Sequence, residues 1–278
     1  IEAQQLAALP SAPATNPARV ELGRALFFDR VLSGNRDIAC ATCHHPAFGW
    51  SDGMATGRGN KSMVLGRATP TIVNTGFNSI QMWDGRHPTL EAQAMGPMEA
   101  TVEMNMDTAA LFKWLNRNEG YKSMFATAYP GKAIDADTVS KAIAAYQRTV
   151  ISDDSAFDRW IRGDKNAMTA QQINGFKLFV GRAKCDVCHS APNFTDDGFH
   201  NLRLASWGEP NPDMGRYSER PLALMKGAFK TPTLREISRT APYFHDGSAM
   251  TLTEVIEHYV QGGVVKTNLS PNMGPLNL

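Results

Sequence analysis

A chain of 278 residues suggests about two domains, and 42% hydrophobic with 20% charged residues is the composition of an ordinary soluble globular protein. Lys and Arg total 28 against 27 Asp and Glu, a formal charge of +1 that gives no electrostatic case for nucleic acid or a membrane surface. No apolar run approaches the roughly 20 residues that span a bilayer. The sequence opens at Ile1 with no signal-peptide core and reads as a processed mature chain.

Residues 1–15, rich in Ala and Pro, read as a loose N-terminal arm. Asn16-Pro17 then supplies an N-cap and a Pro at the first helical position, predicting a helix to about Val31. Next comes Cys40-Ala41-Thr42-Cys43-His44, repeated later as Cys185-Asp186-Val187-Cys188-His189. In Cys-x-x-Cys-His two thiols can form thioethers with haem vinyl groups while the adjacent imidazole binds the iron. Random placement of 4 Cys and 7 His would give roughly 0.001 such motifs, yet two occur and use every cysteine. A zinc site would need two distant Cys pairs and leave both adjacent histidines unexplained. A thioredoxin-like pair would leave the histidines unexplained too. Two covalent c-type haems are therefore predicted, with His44 and His189 as iron ligands. Attachment of such haems generally occurs outside the bacterial cytoplasm, which points to a periplasmic or extracytoplasmic location.

Segments 45–68 and 190–230, rich in Gly, Pro and Asn, read as loops over the haems. Amphipathic helices are predicted at about 107–118 and 136–151, the latter with Val139, Ala142, Ile143, Tyr146 and Val150 on one stripe. A capping box from Thr169 to Gln172 opens the helix before the second haem motif. There Gly175-Phe176-Lys177-Leu178-Phe179 resembles Gly23-Arg24-Ala25-Leu26-Phe27. Period-2 strand patterns are absent, so the fold class is mainly α.

A longer repeat divides the chain. Thr69-Pro70-Thr71 matches Thr231-Pro232-Thr233, and Asp84-Gly85-x-x-x-Thr89-Leu90 matches Asp246-Gly247-x-x-x-Thr251-Leu252, both at an offset of 162. Two cytochrome c-like haem domains related by internal duplication follow, at 16–155 and 156–278. The haem motifs themselves are offset by 145, which puts 17 extra residues in the second domain, around Ser206 to Tyr217.

The repeat also addresses the second axial positions. A helix from Thr251 carries Leu252, Val255, Ile256 and Tyr259 on one face, so Tyr259 points inward. A core tyrosine with a hydrogen-bonded hydroxyl is the plainer interpretation, and Met250 or Met273 is the alternative ligand. The position 162 residues before Tyr259 is Pro97, which has no ligating side chain. The second haem is then six-coordinate His189/Tyr259, and the first is His44 with an open face able to take peroxide. A non-enzymatic electron carrier would need both faces filled.

These motifs, with Trp83-Asp84-Gly85-Arg86, Gln93, Pro97, Val102-Glu103-Met104-Asn105-Met106 and Ala241-Pro242-Tyr243-Phe244-His245-Asp246-Gly247, resemble the bacterial di-haem cytochrome c peroxidase/MauG superfamily over about residues 20–263. The resemblance implies a peroxidatic N-terminal haem and an electron-transferring C-terminal haem bridged by Trp83. It sets Gln93 and Glu103 over the open iron, with Glu103 as acid–base and Gln93 orienting peroxide. Outside the motif, Glu103 would be a solvated charge and Trp83 ordinary core.

Two family patterns are altered. Where conventional members carry a Gly-His-Gly loop whose histidine caps the first iron, this chain has Gly57-Arg58-Gly59, and Arg58 cannot ligate iron. Tyr259 stands where they use methionine. Both features resemble the MauG type, which oxidises side chains of a partner protein. That type also has a surface tryptophan at the place of Ala183, for which Trp160 and Trp207 are possible replacements. The electron source is accordingly either a small redox protein or a protein substrate. The superfamily's calcium implies carbonyl ligands from Thr240 and Pro242, but its usual Asn ligand is Ala68 here. His245 is expected to line the second haem pocket, and His45, His87 and His200 to lie on the surface.

Overall fold

The computed structural model describes residues 6–267, 270 and 273–276. The first five residues of the expected arm, and 268–269, 271–272 and 277–278 at the other end, lie outside the described residues. Residues 6–16 carry no regular structure. Helix α1 (Pro17–Phe28) starts as anticipated: the Asn16 side chain accepts from the amides of Ala18 and Arg19 at 2.9 and 3.3 Å. It stops short of Val31 because Asp29 takes the Val31 amide at 2.9 Å and opens a 3-10 turn over Arg30–Leu32.

Among the described residues seven more α-helices follow before the last. They are α2 (Cys40–Cys43), α3 (Leu90–Glu99), α4 (Thr108–Leu115), α5 (Glu119–Ala128), α6 (Ala136–Gln147), α7 (Ala156–Ile161) and α8 (Ala170–Val180). The final one is α9 (Leu252–Gln261). Helices α4 and α6 are the two predicted at 107–118 and 136–151, each ending a few residues early. Helices α3, α5 and α7 were not anticipated. They are short and their signals are local caps, such as the Asn118 side chain that accepts the Tyr121 amide at 3.0 Å. Among the described residues the strands are a single pair, β1 (Phe199–His200) and β2 (Phe229–Lys230), so the fold is mainly α.

The packed core belongs to the first half. The expected stripe of α6, Val139, Ala142, Ile143 and Tyr146 with Val150 beyond, is buried; α1 and α3 pack on α6, and α5 packs against α1. Leu22, Leu26, Phe27, Leu111, Leu115 and Ile143 are at most 1% exposed, each contributing about 1.5–3 kcal/mol of burial. Helix α1 crosses α6 at backbone contact: a Cβ on Gly23 would lie 1.8 Å from the Ala142 carbonyl oxygen. The similar Gly175 in α8 has nothing within 4 Å. Sequence likeness there does not carry equal packing.

The second half has few buried apolar side chains. Helices α8 and α9 bury none, and Leu178, Leu252, Ile256 and Val260 are exposed. The half is tied internally by Arg235, whose guanidinium meets Asp158 of α7 at 2.5 Å with both side chains buried. It is tied to the first half through Arg67, which bridges Asp84 at 2.7 Å and Asp213 at 2.6 Å. Arg216 adds donations to the carbonyls of Asp84 and Gly85 at 2.9 and 2.6 Å. The segment predicted as extra, Ser206 to Tyr217, is thus a dock onto the first half.

Local geometry recurs at the 162-residue separation. Gln81 pairs with His87 as Tyr243 does with Ala249. Met82 and Phe244 share positive φ, and so do Asn74 and Glu236. Thr89 and Thr251 cap α3 and α9.

Candidate haem centres and peroxide pocket

At the first motif, α2 is a single turn. The Thr42 hydroxyl accepts the Ala39 amide at 2.9 Å, and the His44 amide donates to the Cys40 carbonyl at 2.8 Å. The Nδ1 of His44 lies 3.2 Å from the Trp50 carbonyl. A carbonyl can only accept, so Nδ1 carries the proton and Nε2 keeps its lone pair for a metal. Burial also lowers the His44 pKa, favouring the neutral ligand form. The second motif repeats this: Nδ1 of His189 is 3.0 Å from the Phe194 carbonyl, and burial lowers that pKa too. Both acceptor residues hold positive φ, 64° at Trp50 and 54° at Phe194. Sequence reasoning missed these two residues, because backbone carbonyls leave no residue-type signature.

Helix α3 carries two further candidate residues. Gln93 and Pro97 are four residues apart and share a face, with Gln93 Nε2 3.8 Å from Met82 Sδ. The turn after α3 folds back through Met104 N–H to the Pro97 carbonyl at 3.1 Å, setting Glu103 beside this face. Desolvation raises the Glu103 pKa against the lowering effect of nearby Arg86. Glu103 in turn contributes to the raised pKa of Cys43, which places its carboxylate near the first motif. The Gly57-Arg58-Gly59 loop braces this turn. Asn60 N–H donates to the Glu103 carbonyl at 2.7 Å, and a Cβ on Gly59 would meet the Val102 carbonyl oxygen at 2.0 Å. The Arg58 side chain is exposed, while its carbonyl faces Cys43 Sγ at 3.6 Å.

At the second site, Tyr259 on α9 is half-buried, and burial with the neighbouring Cys188 and Cys185 thiols raises its pKa. Tyr259 and the second motif therefore come together. Of the two alternative ligands, Met250 is 61% exposed and Met273 is buried. His258, off the expected stripe, donates from Nε2 to the Leu202 carbonyl at 2.7 Å.

Trp83 donates Nε1–H to the Ala68 carbonyl at 2.9 Å, and its own carbonyl accepts the Lys230 amide at 2.7 Å. The Ala68 amide donates to the His245 carbonyl at 2.7 Å. The His245 ring stacks on Phe229 at 3.5 Å and meets Trp83 edge-on at 6.3 Å, and burial drops its pKa to about 4. Thr240 and Pro242 line a cavity of about 110 Å³ with Trp83, Asn78 and Gln81. Ala68 shares that wall without a side-chain oxygen.

The donor sets fit two haems better than the alternatives. In each half two thiols stand beside a histidine whose Nδ1 is already engaged, which suits thioether attachment with Nε2 left for iron, and burial pushes the Cys40 thiol up to about 12 and Cys43 to about 11. The exposed apolar side chains of α8 and α9 offer the flat, greasy surface a porphyrin covers. Cys188, Asp196 and His200 bring three ligand atoms within 4.8 Å of one another, and burial with Asp196 raises the Cys188 pKa to about 11. His200 is not the surface residue expected: it is half-buried and bonded to Ser270 Oγ at 2.9 Å. His87 is likewise half-buried, its ring against Gly96 of α3, while His45 is exposed.

Among the described residues no helix is long and apolar enough to cross a membrane. The family profile described as Di-haem cytochrome c peroxidase matches residues 17–166. The methylamine utilization protein MauG of Methylophilus methylotrophus is 42% identical over 274 residues, covering 96% of this chain and 80% of that protein. The cytochrome-c peroxidase IdrP2 of Denitromonas iodatirespirans is 35% identical, covering 96% and 80%. A solved structure of a MauG-like protein associated with microbial copper homeostasis superposes with a TM-score of 0.88 at 28% identity, covering 99% of this chain and 89% of that one.

Proposed function

The chain belongs to the di-haem cytochrome c peroxidase family, and from that premise we propose that this hydrogen-peroxide-dependent oxidoreductase works through two unequal haem sites. The observation that carries the proposal is the asymmetry across two matched histidines. Glu103, its pKa raised by burial, lies near the Cys43 end of the first motif, where the 162-residue repeat supplies Pro97, whereas Tyr259 lies against the Cys185 and Cys188 thiols beside His189. Cys40 and Cys43, and Cys185 and Cys188, would hold the two haems covalently. The haems supply the iron that takes up peroxide and stores oxidising equivalents.

Glu103, its pKa raised by burial, takes a proton from the incoming peroxide and returns one to the leaving oxygen. Gln93 orients that peroxide by hydrogen bonding. Trp83, held by both halves, is the electronic bridge. Residues 16–155 and 156–278 act as the peroxidatic and electron-transfer domains, and the recurring turns and caps support an ancestral duplication. His245 borders the bridge, and the backbone loop carrying Arg58 covers the edge of the first site at Cys43. Calcium at Thr240 and Pro242 would have to find oxygen donors other than position 68. A periplasmic location follows from the covalent haems.

A small redox protein as electron donor makes the protein a peroxidase. Pro97, Arg58 and Tyr259 favour the MauG-type alternative, in which side chains of a partner protein are oxidised, while Ala183 removes that type's exit tryptophan. Low-temperature EPR of the ferric holoprotein before and after one equivalent of hydrogen peroxide tests the scheme. One high-spin and one low-spin haem, both collapsing with peroxide, are expected. Two low-spin signals indifferent to peroxide would refute it.

A further inference from the structure

We propose that Trp50 and Tyr146 form a one-electron relay on the proximal side of the His44 haem, an outlet for oxidising equivalents separate from Trp83. The relay rests on the peroxide-dependent function proposed above. The Trp50 carbonyl accepts from His44 Nδ1 at 3.2 Å. Its indole therefore hangs from the hydrogen bond through only the carbonyl carbon, Cα and Cβ. The same residue holds a φ of +64°, in the left-handed region that bulky side chains rarely adopt. That backbone turn delivers the carbonyl to His44 while directing the ring into the core.

There the indole meets Tyr146 edge-on at 6.3 Å and Phe27 at 6.1 Å. Phe27 lies 5.2 Å from Tyr146 and 6.5 Å from the His44 ring, filling the space between them. Tyr146 stands on α6 in the packed core, and Tyr146 and Phe27 are both buried. The ligand imidazole is thus backed by a packed cluster containing two readily oxidised side chains.

The second half has the same plan with different chemistry. Phe194 gives its carbonyl to His189, and its ring packs on Phe157 at 5.0 Å and Phe179 at 6.1 Å. The oxidisable Trp160 is one ring further out, 6.2 Å from Phe157. Phenylalanine is far harder to oxidise than tryptophan or tyrosine, so a relay is built only at the half that meets peroxide.

The steps balance as single-electron transfers. Trp50 gives one electron to the oxidised centre ligated by His44, which is reduced by one equivalent, and the indole loses its Nε1 proton to solvent. Tyr146 then reduces the Trp50 radical and loses its phenolic proton, while Trp50 Nε1 regains one. The net change is oxidation of Tyr146 by one electron with release of one proton. Hydrogen peroxide is the oxidant throughout.

Freeze-quench EPR of the di-haem protein, mixed with one equivalent of hydrogen peroxide and no donor, tests the relay. An organic radical that narrows when tyrosine is ring-deuterated is expected in the native protein. In Tyr146→Phe it should give way to an indolyl radical, and in Trp50→Phe, which keeps the carbonyl for His44, both signals should vanish. A radical unchanged by deuteration and by Tyr146→Phe overturns the relay. So does a haem absorbance change with no organic radical. No absorbance change at all overturns the peroxide-dependent function and the relay with it.

Discussion

The indole nitrogen of Trp83 donates to the carbonyl oxygen of Ala68 at 2.9 Å, on the same strap whose amide reaches across to His245 in the other half. The residue that would carry electrons between the halves is thereby fixed to both. Trp83→Phe keeps most of the packing and strands the Ala68 carbonyl, at about 1 kcal/mol of stability. Stopped-flow absorbance should show the second haem responding to peroxide more slowly than in the native protein. An unchanged rate would remove Trp83 from the path.

Glu103→Gln keeps the shape and removes the proton carrier. The bimolecular rate with peroxide is expected to fall by about 10²–10⁴-fold, and a rate within threefold of native would rule out the acid–base role.

The same variant has a signature in stability. Burial raises the Glu103 pKa above its ordinary value of 4.5, so the folded protein binds that proton more tightly than the unfolded chain. Stability then falls as pH rises from the ordinary carboxyl range through the raised value. Glu103→Gln lacks this loss and should melt higher than native at neutral pH, with the difference shrinking toward acid. Thermal melts across that range decide it.

Tyr259→Phe removes the proposed oxygen ligand and leaves the ring against Phe244, now 6.4 Å away. The low-spin EPR signal of the second haem should convert to high-spin. A spectrum that stays low-spin would transfer the ligand role to a methionine.

Two glycines that look alike in sequence should behave oppositely. Gly23→Ala drives a methyl into the Ala142 carbonyl, so α1 must move off α6, costing about 1–3 kcal/mol. Gly175→Ala meets open space in α8 and should stabilise by about 0.5–1 kcal/mol. Denaturant titrations of the two variants read the difference, and equal destabilisation would mean that α8 packs as α1 does.

Legibility followed the physical range of each signal. Caps at Asn16 and Thr169, the α6 stripe and both Cys-x-x-Cys-His motifs depend on neighbours within a turn, and the structure keeps them where the sequence put them. Helix ends slipped because competing local acceptors such as Asp29 decide them. His200 was misjudged because its partners Asp196 and Ser270 come from a loop and from the chain's far end.

By itself the sequence determined the mainly helical class, and residue type and spacing carry directly the expectation that four cysteines and two histidines hold two haems and that Tyr259 corresponds to Pro97. Only the tertiary structure decided which carbonyls orient the histidines, how the Gly59 loop seats Glu103, and that Trp83 is held by Ala68 and Lys230. Those features are made by backbone atoms brought together across long stretches of chain, and a backbone atom is the same in every residue that could supply it.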